Sequence, residues 1–304
     1  MPLDIIDLGK QFRPGTSHIY PPFKKGKYLE EYVYDYLLRY RNDIRNDIRK
    51  IWIYIPVFWT NLQNLPGFAN MKDKYQLLLD RALKTYITIA HTVAQSIQYF
   101  TIVQHDDGPQ LNLPHGTIIF GSCTGTIPLP LIYEDSTERL IHAPRCSKDI
   151  LASFVGTPST HPIRQEMIDV VGKHADIVYY SATSVWSAIV PVDEATRFID
   201  LTLRSRFCLA PRGYGRSSFR FFEAMLLDSI PVYIWDDIEW LPYKDVLDYT
   251  LFSISINRRD LPQQEGILRS ISEEKGRSMI EEGKKIRHYF TLEGMCEYIA
   301  MRIS

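Results

Sequence analysis

Arg212, Gly213, Gly215, Arg216, Ser217, Ser218, Arg220 and Glu223 crowd into one short run of a 304-residue chain. Guanidinium groups fit phosphate oxygens in pairs. The free backbone N–H groups of a helix start favour an anion at the same place. Arg212, Arg216 and Arg220 around Gly213 therefore suit a diphosphate, with the hydroxyls of Ser217 and Ser218 at the helix cap. Glu223 lies one turn inside, where a carboxylate can accept from ribose hydroxyls as acidic residues do in other βαβ sites. A surface helix with solvated arginines is the competing reading of any lone Gly-Arg loop. The joint pattern favours phosphate, although it matches neither the dinucleotide nor the Walker fingerprint.

The flanking residues supply the elements that such a site needs. Residues 207–210 are an apolar run of strand length that Pro211 ends. A helix is predicted from Ser218 to about Leu227, with Phe219, Phe222, Met225 and Leu226 on one apolar face. Asp228 and Ser229 stop it, and residues 230–234 form the next strand. Upstream, the pattern predicts a strand at 150–156, a helix at 163–171, a strand at 177–180 and a helix at 193–206. In the first half, residues 1–24 read as an irregular arm and 28–50 as a charged amphipathic helix. Residues 51–57 read as a buried strand and 71–94 as one or two helices. A further strand runs into a turn at 102–109, and a strand with a small-residue loop follows at 115–126. The chain beyond residue 284 reads as helical.

The signature that opens at Ser205 and runs through Phe207, Cys208, Leu209, Pro211, Arg212, Gly213, Ser218, Phe219, Arg220, Glu223 and Ala224 to Pro231 and Val232 resembles the exostosin family of glycosyltransferases, GT47. Leu241-Pro242-Tyr243 and residues 245–248 extend the resemblance over about the second half of the chain. Asp228-Ser229 departs from the small pair common in the family before Ile-Pro-Val. The resemblance implies an α/β chain of GT-B architecture, with two Rossmann-like domains facing a central cleft. The expected division is 1–147 as an acceptor-side domain, 148–290 as the nucleotide-sugar domain, and 291–304 as a helix crossing back to the first.

The resemblance also implies inverting transfer of a sugar from a UDP-sugar to a hydroxyl of a glycan or glycoprotein acceptor. Arg164 matches a family arginine that contacts diphosphate, while a helix-surface ion pair with Glu166 or Asp169 is its other reading. Arg220, with Arg212, would offset charge on the leaving diphosphate. The segment His105-Asp106-Asp107-Gly108 is similar to a turn in the family's first domain. Any of His105, Asp106 and Asp107 could take the acceptor's proton, and plain turn chemistry explains the same residues equally well. Asp236 and Asp237 stand where sugar hydroxyls would be held. No cofactor is expected, and no metal is strictly required, since arginines and a helix dipole serve in its place. A compact member without an anchor is similar to exostosin-type proteins of large algal DNA viruses. That likeness leans the donor toward UDP-xylose, which inversion would deliver as a β-xylosyl linkage. A GT-B module that binds glycans without catalysis is the alternative.

Composition narrows the remaining classes. The hydrophobic content is 45% and the formal net charge −1, which suits a globular core and argues against a nucleic-acid partner. The four cysteines form no CxxC pair, and no histidine has metal-ligand spacing to another. No apolar run reaches the length of a membrane span. A cytoplasmic setting, the host's cytoplasm for a viral protein, is the expectation.

Overall fold

The computed structural model describes residues 3–15, 27–40, 50–90, 96–133, 139–171, 174–181 and 190–304. The described chain forms two compact units, each an α/β layer structure around one parallel sheet.

The first unit takes the described residues up to Leu129 together with Leu292–Ser304. In chain order it holds β1 (Asp4–Ile5), α1 (Leu29–Tyr40), β2 (Lys50–Tyr54), α2 (Trp59–Gln63), α3 (Phe68–Ala90), β3 (Ser96–Val103), β4 (Ile118–Gly121) and β5 (Ile127–Pro128). Its sheet order is β1-β2-β3-β4-β5, with every pair parallel. Parallel strands are covered on both faces, so β2 is apolar nearly throughout. Ile53, Ile55 and Trp59 are fully buried, as is Leu79 of α3, one turn before Leu83 on the same face. The C-terminal helix Leu292–Arg302 buries Met295, Cys296 and Ile299 in this unit and packs on α1.

Two expectations change here. The arm at 1–24 is not irregular where it is described. Asp4 and Ile5 pair with Ile53 and Tyr54, and Phe12 is fully buried beside Tyr75. A two-residue strand carries no periodic pattern, and the exposed edge of β2 supplies its definition. Of the helix expected at 28–50, α1 forms Leu29–Tyr40, residues 41–49 lie outside the described residues, and Lys50 opens β2 instead.

A buried carboxylate pins the start of α1 to the end of β3. Glu30 is fully buried, and its Oε1 accepts from the Thr60 N–H, the Thr60 hydroxyl and the Gln104 N–H at 3.1, 2.7 and 3.0 Å. Burial raises its carboxyl above the ordinary value, while the Gln104 and Thr60 donors pull the other way. A carboxyl raised on folding contributes stability below its unfolded pKa, and that contribution is lost as pH rises through the folded value. The wild type is therefore expected to lose thermal stability relative to Glu30→Gln as pH rises above 4.5. Parallel unfolding curves for the two proteins across that range would contradict this.

The second unit is the described part of Pro130–Thr291. It holds β6 (Ile150–Val155), α4 (Pro162–Val171), β7 (Ile177–Tyr180), α5 (Val192–Arg204), β8 (Ser205–Pro211), α6 (Phe219–Leu226), β9 (Ile230–Trp235), β10 (Ile254–Asn257), α7 (Gln264–Ser270) and α8 (Glu273–Lys285). Its all-parallel sheet runs β10-β9-β8-β6-β7. Phe154, Phe207, Leu209, Val232 and Ile234 are fully buried in its core.

The units divide after Leu129, whereas the sequence placed the division at 147/148. Residues from 130 onward belong with the second unit for physical reasons. The Tyr133 hydroxyl donates to Glu223, Leu140 is fully buried among Leu203, Leu226 and Leu227, and Arg145 Nη2 donates to the Leu226 carbonyl at 2.8 Å. All four cysteines are free; Cys123, Cys208 and Cys296 are buried and Cys146 is exposed. Burial pushes the Cys208 thiol up to about 12. Among the described residues no helix is long and apolar enough to cross a membrane.

Candidate active site in the second unit

The second sheet reverses its winding between β6 and β8. From β6 the chain steps outward to β7, then returns to lay β8 on the other side. In open parallel sheets ligands bind beyond the carboxyl ends of the strands at such a reversal. The first sheet winds one way through all its described strands and has no such point. Val155 ends β6 and Pro211 ends β8, with Gly156 and Arg212 next in the chain, so the arginine-rich run falls at the reversal.

Arg220 stands in the first turn of α6 and reaches back to β6. Its Nε donates to the Val155 carbonyl, and its guanidinium lies 5.6 Å from the Phe154 ring centroid. Gly156 leaves the room for it. A Cβ on Gly156 would stand 2.6 Å from Arg220 Nη2 and 2.8 Å from Cζ.

Arg164, at the start of α4, is buried and spends its donors on the backbone. Nε donates to the Arg212 carbonyl at 2.8 Å, Nη1 to Thr157 at 2.9 Å and Nη2 to Pro211 at 3.4 Å. It clamps the end of β8 and the loop before α4. Glu166 pairs with Arg258, and Asp169 accepts from Gln165. Gly213 admits the clamp closely, since a Cβ there would lie 3.3 Å from Arg164 Nη2.

Arg212 and Arg216 are paired rather than solvated. Arg212 Nη1 donates to Asp236 Oδ1 and Asp237 Oδ1, each at 2.8 Å, and Arg216 Nε donates to Asp237 Oδ2 at 2.8 Å. His161 Nε2 lies 3.6 Å from Asp236 Oδ2. Burial and the charge of Arg212 lower the His161 pKa, against the pull of Asp236.

Two buried donors at this end have no partner. Arg212 Nε makes no hydrogen bond, and neither does the hydroxyl of Ser218. Ser218 occupies the N-cap position of α6, but its side chain caps nothing. The Ser217 side chain is buried beside it.

Glu223 is engaged as well. The Tyr133 hydroxyl donates to its Oε1 at 2.6 Å, and Arg139 Nη2 lies 3.5 Å from that hydroxyl. Burial raises the Glu223 carboxyl, while Tyr133 and the charges of Arg220 and Arg139 work to lower it. A hydrogen bond to a charged group contributes about 1.5–3 kcal/mol. Tyr133→Phe is therefore expected to lower the midpoint of thermal unfolding by several degrees. An unchanged midpoint would show that the contact contributes little.

The other candidates stand in the first unit. His105, Asp106 and Asp107 form the turn after β3, closed by the Gly108 N–H donating to the His105 carbonyl at 3.0 Å, with Gly108 at φ +71. His105 Nδ1 accepts from the Asp107 N–H at 3.2 Å, and the Asp107 side chain is 74% exposed. The local bonds are those of a turn, and Asp107 presents a carboxylate to solvent at a strand's carboxyl end. Among the described residues no group of three or more His, Cys, Asp or Glu is arranged to hold a metal.

Sequence reasoning missed Tyr133, Gly156 and the pairing of Arg212 and Arg216 with Asp236 and Asp237. Gly156, at the end of an apolar strand on the amino side of the Arg164 turn, was the one legible signal among them.

The exostosin GT47 domain model matches residues 113–271. A probable glycosyltransferase of Arabidopsis thaliana is 33% identical over 92 residues, which cover 30% of this chain and 19% of that protein. A probable β-1,4-xylosyltransferase of the same plant is 34% identical over 85 residues, 28% of this chain and 20% of that protein. The matched stretch thus spans about a fifth of these curated relatives. Among solved structures, TarM aligns over 89% of this chain and 57% of its own, with 10% identity and a TM-score of 0.41.

Proposed function

Because the chain belongs to the exostosin GT47 family, we propose that it is an inverting glycosyltransferase moving a sugar from a UDP-sugar to a hydroxyl of a glycan or glycoprotein acceptor. The observation that carries the nucleotide assignment is the pair of partnerless donors, Arg212 Nε just past β8 and the Ser218 hydroxyl at the N-cap of α6. A buried donor left unmade costs about 1–3 kcal/mol. Diphosphate oxygens are the acceptors that would complete both at once, at the sheet reversal and a helix N-terminus.

In this scheme Arg220 faces the leaving diphosphate and stabilises the charge that builds as the glycosidic bond breaks. Arg164 keeps the end of β8 and the loop in register for it. Gly213 allows close approach, Ser217 and Ser218 frame the helix start, and Glu223 holds ribose through its remaining oxygen. The turn of His105, Asp106 and Asp107 is assigned the acceptor's proton. Arginines and the helix start carry the leaving charge, so the scheme calls for no metal. Xylose is the donor sugar we favour, in keeping with the xylosyltransferase named among the relatives.

A thermal-shift panel of UDP, UDP-xylose, UDP-arabinose, UDP-galactose and UDP-glucuronic acid tests the reading, followed by assay of UDP release. A ligand at 100 times its Kd adds roughly 2.7 kcal/mol to the folded state. No shift with any member would overturn the nucleotide assignment. UDP bound but never released from a donor would mark the chain as a glycan-binding module instead.

A further inference from the structure

We propose that Asp236 and Asp237 make this site select a neutral donor sugar and reject a uronic acid. The inference rests on the diphosphate reading above, and it adds which class of sugar that diphosphate carries.

Recognition of a sugar carboxylate needs an arginine or lysine with donors to spend. At this rim each arginine already holds one of the protein's own acids, which offsets its charge. Arg212 bridges Asp236 and Asp237 through one nitrogen, and Arg216 holds the far oxygen of Asp237. The next cation, Arg258, is forked onto Glu166. His161, facing Asp236, has its charged form disfavoured by burial and by Arg212.

Both acids are partly open, with side chains 18% and 40% exposed. An ionised carboxylate only accepts hydrogen bonds. It therefore receives sugar hydroxyls and repels another carboxylate, which is discrimination by an unfavourable contact with the wrong ligand. Burial opposes the charge of Asp237, but the Ile238 N–H and the guanidiniums of Arg216 and Arg212 outweigh it and hold its carboxyl below the ordinary value.

A second observation ties this rim to a ligand. Arg212 is 9% exposed, and the guanidinium that orients both acids keeps its Nε without a partner. The same side chain thus faces the acids through Nη1 and offers an unmet donor for a phosphate oxygen. A sugar one bond beyond that phosphate meets the two carboxylates.

The test is calorimetric titration of the full chain with UDP-glucose and UDP-glucuronic acid, which differ only by oxidation of the C6 alcohol to a carboxylate, with UDP as reference. UDP-glucose is expected to bind at least about tenfold more tightly than UDP-glucuronic acid, a gap of about 1.4 kcal/mol. In the double variant Asp236→Asn, Asp237→Asn that ratio is expected to fall below about threefold, read within the variant against its own UDP affinity. The single variants Asp236→Asn and Asp237→Asn stand in if the double variant does not fold. Equal or tighter binding of UDP-glucuronic acid by the wild type, with UDP still bound, overturns this inference alone. So does a ratio unmoved in every variant that retains UDP. Failure of the wild type to bind UDP at all overturns the diphosphate reading, and the inference with it.

Discussion

Arg220→Ala is expected to lower kcat/KM for release of UDP from the donor by about 10²–10³-fold, the usual loss when one preorganised donor to developing charge is removed. The loss should fall mainly on kcat, because the leaving diphosphate carries more charge in the transition state than in the bound donor. Arg220 is held for this from two sides, by its Nε bond to the Val155 carbonyl and by the ring of Phe154. Arg220→Lys should recover little of the rate, since an ammonium cannot bond Val155 and present a planar fork at once. The structural cost is one charge-assisted hydrogen bond to a carbonyl, about 1.5–3 kcal/mol. Arg220→Ala should therefore unfold several degrees below the wild type and still be folded at assay temperature. Full turnover in Arg220→Ala would remove this residue from the chemistry.

Gly156→Ala should reproduce much of that loss without touching a charged residue. The added methyl carbon would stand 2.6 Å from Arg220 Nη2 and 3.0 Å from Phe154 Cζ. The phenylalanine is packed in the core and cannot yield, so the guanidinium must move. Gly156 needs no positive φ, which leaves alanine unstrained on the backbone. A misplacement of about 1 Å in a positioning group can cost on the order of 10²-fold in rate. We expect a loss of 10- to 100-fold in kcat with a small change in unfolding temperature. A Gly156→Ala protein as active as the wild type would show that Arg220 works from another position.

The strand, loop, helix and strand of the site were legible in the sequence because each is a local matter. Pro211 closes β8, the apolar face of α6 repeats at helical spacing, and Ile230–Trp235 has the apolar run of a buried strand. What those arginines bond to was not legible. The partners of Arg212 lie 24 and 25 residues away, just past the end of β9, and Tyr133 lies 90 residues from Glu223. Such contacts are set by which strands become neighbours, and no local spacing encodes that. Arg164 illustrates the point further. Its position at a helix start suits a phosphate ligand, yet Nε and Nη2 go to carbonyls at the end of β8 that the β6–β8 pairing brings within reach. Asp4–Ile5 escaped for the opposite reason, being too short for any pattern.

The burial of three thiols out of four leaves a practical opening. A maleimide dye applied to the folded chain should attach once, at Cys146. Its neighbour Arg145 bonds the carbonyl of Leu226 and the carboxylate of Asp228, at the tail of α6. Eight helical residues, a span of about 12 Å, separate that tail from the helix's leading turn. A fluorophore there would report the arrival of a nucleotide from a distance, leaving the chemistry undisturbed while it watches.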